Sequence, residues 1–462
     1  MLRMIDREVT YITQFTSILT LLAFFITMLF IFWRPKGLNE AIPATIGAFM
    51  VILCGSVSLT DLGEIGSKVT GASVTILATM IMAIALESFG FFYWVAAKLL
   101  QQSRGSGIKL FWLTNSLCFL MTIFLNNDGS VLITTPILLL VLKYLGLKKH
   151  QKTPYLISGV LIATASSAPI GVSNIVNLIS LKMIGMDLYL HTAMMFVPSM
   201  MGLLFMACLL FIFFYKRLPK SLPDIPNHFQ SLQHRRYHPL HSPSAPLPKR
   251  NQTKIMLFVL AFVFLVRISL FAASYTGISV PLVAVIGSII LLAWRWVYFK
   301  TSPKDLLYKS PWHIFIFAFT MYVLIYGLHN IGFTELLVNY FEPMVSGSLS
   351  YATFVSGIST SVFSNLFNNH PALMISTFTL TEMSLNPSTA KIIYLANIIG
   401  SDIGSLLLPI GTLATLIWMH ILKQHDESIS WGEYLKTTIL IIPLTVLFTL
   451  TCLYFWISWL FL

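Results

Sequence analysis

Charge is what this chain has least of. Asp, Glu, Lys and Arg make up 10% of its 462 residues, against 56% hydrophobic ones. A soluble domain spends about 25% of its residues on charge to cover its water-facing surface, so no such shell can be built here. Cysteine is almost as sparse. Cys54, Cys118, Cys208 and Cys452 stand far apart, each inside an apolar run, with no pair at metal-ligand spacing. Neither a zinc site nor a disulfide framework follows, and buried unreactive thiols are the simpler reading. Alternating ten-residue strands are missing, which sets aside a β-barrel. A soluble domain, a nucleotide-binding loop and catalytic Cys/His or Ser/His spacings are missing too. An enzyme or a receptor is therefore not expected, nor is a cofactor or a resident metal.

Long apolar runs are what the chain does have. Residues 15–33, 42–57, 74–97, 255–271 and 439–462 are examples, each near or above the ~20 residues that cross a hydrocarbon core. The fold expected is an all-α polytopic membrane protein in the cell (inner) membrane. About ten full crossings are expected, at 15–33, 41–58, 73–97, 155–180, 190–215, 255–272, 280–298, 312–329, 390–422 and 434–461. Residues 110–145 and 350–381 are apolar but broken mid-way by polar residues. They read as re-entrant hairpins that enter and leave on one side. Arg3, Asp6, Arg7 and Glu8 precede a long apolar run, so the first run reads as a retained span rather than a cleaved signal.

The formal net charge of +12 invites a nucleic-acid reading, but its distribution opposes one. With the N-terminus outside, every Lys and Arg falls in an inside loop except Arg3, Arg7, Lys68, Lys182, Lys391 and Arg267, and Arg267 lies within a span. That asymmetry is the positive-inside signal of topology. Residues 216–254 are rich in proline, with His228, His234, His238 and His241 and little apolar content. They read as a cytoplasmic linker between an N-terminal repeat, 1–215, and a C-terminal one, 255–462. Solvated histidines suit such a tract better than a metal site.

One pattern occurs twice. Asn126-Asn127-Asp128-Gly129 is followed by Pro169-Ile170-Gly171, and Asn368-Asn369-His370-Pro371 by Pro409-Ile410-Gly411. From the second Asn to the Pro is 42 residues in one copy and 40 in the other. An odd number of crossings, five, separates the copies, so they have opposite orientation. This is the inverted-repeat plan of secondary transporters, with solute held where helices break. The residue types fit. Asn and Asp cap helix starts, Gly tolerates the turn, and backbone freed at membrane depth must be buried in protein or line a cavity. Asn126, Asn127, Asp128, Gly129, Ser173, Asn174, Asn177, Asn368, Asn369, Gly411 and Thr412 are therefore the candidate substrate-binding residues. Asp128, Asp402 and His370 are the proton-coupling candidates, because an intramembrane ionisable group is expensive and usually functional. The bland reading of these polar residues is helix–helix glue. Glu87, near the inner end of a span, is expected to snorkel.

At these positions the chain resembles the arsenical pump membrane protein (arsenite permease) family of the ion-transporter superfamily. Trp33-Arg34-Pro35-Lys36-Gly37-Leu38 looks like the family's W-x-P-K-G-L. Glu87-Ser88-Phe89-Gly90-Phe91-Phe92 is similar to E-S-G-F-F with one residue inserted. Asn127-Asp128-Gly129, with Leu132 and Thr135-Pro136-Ile137, resembles N-D-G-A-A-L-I-L-T-P-I, and Val172-Ser173-Asn174 resembles V-S-N. Asn368-Asn369 with Pro371 looks like N-N-M-P. The longest likeness runs from Ala396-Asn397 through Ile399-Gly400-Ser401-Asp402 and Pro409-Ile410-Gly411 to Trp431-Gly432. The resemblance implies efflux of arsenite and antimonite, driven by the electrochemical gradient, alone or with a soluble ATPase subunit. Protons, membrane lipid and a second copy of the chain are the other expected partners; nucleic acid is not one. Thiolates suit trivalent arsenic, but these cysteines are dispersed. Three departures stand out. The family's A-D-T acid is replaced within Ala163-Thr164-Ala165, its G-P-K base within Gly404-Ser405-Leu406, and its N-N-M-P methionine by His370. They bear on the substrate and leave the fold expectation intact. A sodium/proton antiporter and a small-anion carrier are the rival readings.

Overall fold

The computed structural model describes residues 2–223, 252–300 and 302–460. The first half runs α1 (Leu2–Trp33), α2 (Ala41–Leu53), α3 (Leu59–Ser88), α4 (Phe91–Ser103), α5 (Gly107–Phe124), α6 (Asn127–Tyr144), α7 (Lys149–Ala165), α8 (Ile175–Ile184) and α9 (Leu188–Phe214). The second half runs α10 (Gln252–Tyr275), α11 (Val280–Phe299), α12 (Lys304–Lys309), α13 (Trp312–Asn330), α14 (Phe333–Val345), α15 (Leu349–Phe367), α16 (Asn369–Glu382), α17 (Pro387–Asp402), α18 (Leu413–Gln424) and α19 (Trp431–Leu460). Among the described residues, nine helical segments are long and apolar enough to cross a membrane. The four histidines and most of the expected linker lie outside the described residues.

Apart from the short α12, the order of elements repeats. Each half has three leading helices, a short helix (α4, α14), a helical hairpin (α5–α6, α15–α16), a broken helix (α7–α8, α17–α18) and a long closing helix. The packing repeats with it: α2 packs on α13 and α3 on α11, while α9 packs on α19. The second arm of each hairpin crosses to the other half, α6 onto α18 and α16 onto α8. Close approach within the second half depends on glycine. A Cβ on Gly357 would meet Leu450, and one on Gly400 would strike the Gly357 carbonyl, so α15 and α17 meet backbone to backbone in the small-residue manner of membrane helices.

Three expectations need correction. The crossing placed at 73–97 is α3, which starts at Leu59 and stops at Ser88. Its start is fixed by a capping box, in which Ser58 Oγ accepts from the Asp61 amide (3.2 Å) and Asp61 answers at the Ser58 amide (2.8 Å). Its polar first turns hid it from a hydropathy reading, although Lys68 pairs with Glu64 at 2.6 Å and Tyr326 donates to Glu64 at 3.1 Å. The span at 41–58 is represented by only a 13-residue helix, α2. Glu87 does not snorkel: it is 2% exposed, buried in the last turn of α3. Contacts at the ends of the helices join loops that the charge pattern puts on the same side. Arg34 binds Glu40 (2.7 Å) beside His313, Lys152 pairs with Glu427 across the halves, and Asn330 donates to the Ser56 carbonyl (2.8 Å).

Candidate transport site

Four interruptions of helix geometry make the site. In the first hairpin, α5 ends at Phe124 and Asn126 caps α6, its Oδ1 accepting from the Gly129 amide at 2.8 Å. A Cβ on Gly129 would collide with that same oxygen, which explains the glycine. Asn127 and Asp128 then fall in the first turn of α6. In the first broken helix, α7 stops at Ala165, and residues 166–174 leave the helix before Asn174 caps α8 through the Val176 amide (3.3 Å). Ser173 sits in the 3-10 turn Gly171–Ser173, and Asn177 in the first turn of α8.

The second hairpin turns at Asn368, whose φ of 72° and ψ of 153° lie in a region that side chains seldom adopt. The strain is held by bonds on both sides. Asn368 Nδ2 donates to the Ile410 carbonyl (3.1 Å), and the Asn369 amide donates to the Gly411 carbonyl (2.8 Å). This hairpin tip therefore docks directly on the second helix break. There Thr412 caps α18 through the Thr415 amide (3.0 Å), and Thr415 Oγ1 returns to the Pro409 carbonyl (2.6 Å). Gly411 has no room for a side chain, because a Cβ would strike the Ser405 carbonyl. Asn365 fastens the rest of this break, donating to the Gly404 carbonyl and accepting from the Leu408 amide, both at 2.8 Å.

Asp402, the last residue of α17, crosses to the other half. Its Oδ2 accepts from Ser167 Oγ (2.7 Å) and Asn177 Nδ2 (2.7 Å), and its Oδ1 from Asn174 Nδ2 (3.1 Å). Ser401 Oγ is a more distant donor at 3.5 Å. The carboxylate is 1% exposed and, among the described residues, has no cationic partner. A buried carboxylate solvated by neutral donors, three of them from the opposite half, is a built polar centre, not a surface ion pair. Asp128 lies within electrostatic range of it, and of Glu40. His370 is 2% exposed, its ring edge-on to Phe317 with centroids 5.6 Å apart.

The structure thus brings together Asn126 with Gly129, Asp402 with Asn174 and Asn177, Asn368 with His370, Asn369 with Gly411, and Asn368 with Ile410 beside Gly411. Several buried polar atoms there have no protein partner: Asn127 Oδ1, Asp128 Oδ1, Ser173 Oγ, Asn177 Oδ1, His370 Nδ1, and both side-chain atoms of Asn369. Such atoms, all at the hairpin tips and helix breaks, are free to offer donors and acceptors to a small hydroxylated solute. No direct bond joins Asp128 or His370 to the Asp402 cluster. Sequence reasoning missed two residues. His191 of α9 is fully buried, its Nε2 3.4 Å from the Ala168 carbonyl and its ring 5.8 Å from that of Tyr394. Arg267 of α10 is 3% exposed and donates through Nε to the Phe124 carbonyl (2.8 Å). The signal for Arg267 was available, since it is a lone charge in an apolar run. His191 gave none.

Paired hairpins, paired broken helices and a buried carboxylate between them define a multi-pass membrane transporter whose two halves share one helix order. The comparisons with known proteins narrow this. The family described as arsenical pump membrane protein matches residues 19–457, and the chain belongs to that family. A relative from Bacillus subtilis (strain 168), provisionally named an arsenical pump membrane protein, is 92% identical over 442 residues, covering 96% of this chain and 100% of that one. The arsenical pump membrane protein of Escherichia coli is 30% identical over 425 residues, 92% of this chain and 95% of its own length. Among solved structures, the Alcanivorax borkumensis YdaH transporter shares the fold at a TM-score of 0.50 and 12% identity, over 87% of this chain and 90% of that one.

Proposed function

We propose that this chain exports arsenite and antimonite from the cell, driven by the electrochemical gradient, with protons as the coupling ion. The observation that carries the reading is Asp402, held by Ser167, Asn174 and Asn177 of the opposite repeat. A carboxylate ringed by neutral donors at a helix break gains or loses a proton at the place where the two repeats meet, so its charge state is linked to their arrangement. Its neighbours are amide and hydroxyl groups, and unpartnered oxygens such as Ser173 Oγ and Asn177 Oδ1 lie in the same helix break, so the choice between proton and sodium is left to the vesicle assay below. Asp128 and His370 are the further coupling candidates. The solute would be held among Asn127, Ser173, Asn174, Asn369 and Thr412. The hairpins are re-entrant in this reading: α16 has 14 residues, about 21 Å of helix against a ~30 Å core, while the other three arms, of 18 or 19 residues, have the length of a full crossing. Residues 1–215 and 255–462 would act as the two transport repeats.

The test is arsenite and antimonite sensitivity, with intracellular arsenic, in cells that lack their own efflux system and express this chain. Restored resistance with lowered arsenic is expected. Unchanged sensitivity with the protein present in the membrane would overturn the reading. Collapse of a proton gradient by sodium alone, in everted vesicles, would favour the antiporter instead. Running the assay with and without a soluble ATPase subunit decides whether such a partner is needed.

A further inference from the structure

The two repeats close the same joint with different chemistry. In the second, the hairpin tip reaches the helix break through neutral groups, the Asn369 amide to the Gly411 carbonyl and Asn368 Nδ2 to the Ile410 carbonyl. In the first, the joint is bridged by Arg267 from α10. Its Nε donates to Phe124 at the end of the hairpin's first arm (2.8 Å), and its Nη1 lies 3.5 Å from the Val172 carbonyl in the break. The remaining nitrogen, Nη2, is buried without a hydrogen-bond partner. Among the described residues no carboxylate lies within ion-pair distance of Arg267. Two carbonyls supply only partial charge to a full cation, and a buried N–H left unmade costs its desolvation outright. A charge in the membrane interior with an open donor is a functional feature by default. The carbonyl bonds hold the planar guanidinium in one orientation, so its free edge points a fixed donor pair rather than a mobile one. The unpaired Ser173 Oγ belongs to the residue following Val172, which places further hydrogen-bonding capacity beside that bridge.

We infer that Arg267 is a solute-recognition residue of the transport site, its Nη2 hydrogen-bonding an anionic oxygen of the solute. The inference rests on the transport reading above and deepens it: the metalloid is held as its singly deprotonated hydroxide. Binding from the neutral trihydroxide then breaks one O–H bond, leaves the oxygen's charge against the guanidinium, and releases the proton to the medium.

The experiment uses the full chain, purified in lipid nanodiscs, with arsenite as the probe. Calorimetry in buffers of different ionisation enthalpy reads affinity and protons released, across a range of pH, for wild type, R267K and R267Q. Melting temperature is recorded beside each. The expected result is proton release and rising affinity with pH in wild type. R267Q should lose at least about tenfold in affinity and lose the proton release, while R267K keeps a reduced share of both. Equal affinity and unchanged proton release in R267Q would overturn the inference while leaving the export reading standing. So would wild-type binding without proton release. A lowered melting temperature restored by R267K, with pH dependence unaltered in all three proteins, would make Arg267 a brace only and also overturn it. Absence of arsenite binding to wild type at any pH would remove the export reading itself, and this inference with it.

Discussion

Asp402 accepts hydrogen bonds from three side chains of the opposite repeat, and bonds to a charged group are worth about 1.5–3 kcal/mol each. Asp402→Ala would leave the Asn174 and Asn177 amides with unmet donors, while Ser167 can still donate to the Thr164 carbonyl (2.8 Å), so it should destabilise the protein by about 3 kcal/mol and abolish transport. Asp402→Asn keeps the volume and removes the charge. Its expected outcome is a protein that stays in the membrane with a nearly normal melting temperature but transports at a small fraction of the wild-type rate. Full transport by Asp402→Asn would exclude the carboxylate from coupling. Gly411 gives a sharper steric test. Because a Cβ there would strike the Ser405 carbonyl, Gly411→Ala should disrupt the second break and reduce both membrane yield and transport. A wild-type melting temperature for that variant would contradict the geometry.

Much at this scale was legible in the sequence. Asn126, Asn174, Asn368 and Thr412 announced themselves because capping is local: the acceptor and its amide are two or three residues apart. What was not legible is whom Asp402 touches, since its partners lie 225 to 235 residues away. Arg267 was visible as a lone charge, yet its partners are backbone carbonyls 143 and 95 residues distant, and a carbonyl carries no sequence signal.

At the scale of elements, the hairpin tips and broken helices follow from interruptions in apolar runs, and both pairs appeared where proline, glycine and asparagine predicted them. The short helices α4 and α14 did not: the first residues of α4 were merged into the apolar run 74–97 that α3 ends at Ser88, and Glu335 and Glu342 interrupt the apolar pattern of α14. The tip at Asn368 is the element most open to test. Asn368→Ala loses the cap and the bond to Ile410 while keeping a Cβ in a strained conformation, so it should cost about 1–3 kcal/mol of stability. Asn368→Gly loses the same side chain but relieves the backbone, so its loss should be clearly smaller. Chemical or thermal unfolding in detergent ranks the two. The opposite order would mean that the φ of 72° stores no strain worth relieving.

At the scale of the whole molecule, the crossed hairpins mean that neither repeat completes its half of the site alone: α6 leans on α18, α16 on α8, and Asp402 on the first break. In the proposed export, these crossed elements are expected to move as a group against the α2–α13 and α3–α11 frame. One contact between group and frame is the donation of Lys182, in the last turn of α8, to the Ser67 carbonyl in α3. Cysteines placed at 67 and 182, with the four native cysteines replaced, should be joined by a short bifunctional thiol reagent. Transport should stop on cross-linking and return when a cleavable link is reduced, while the cysteines alone leave the rate near normal. Undiminished transport in fully cross-linked protein would show that α8 does not move against α3. The moving unit would then have to be sought on the side where Lys152 and Glu427 pair across the halves.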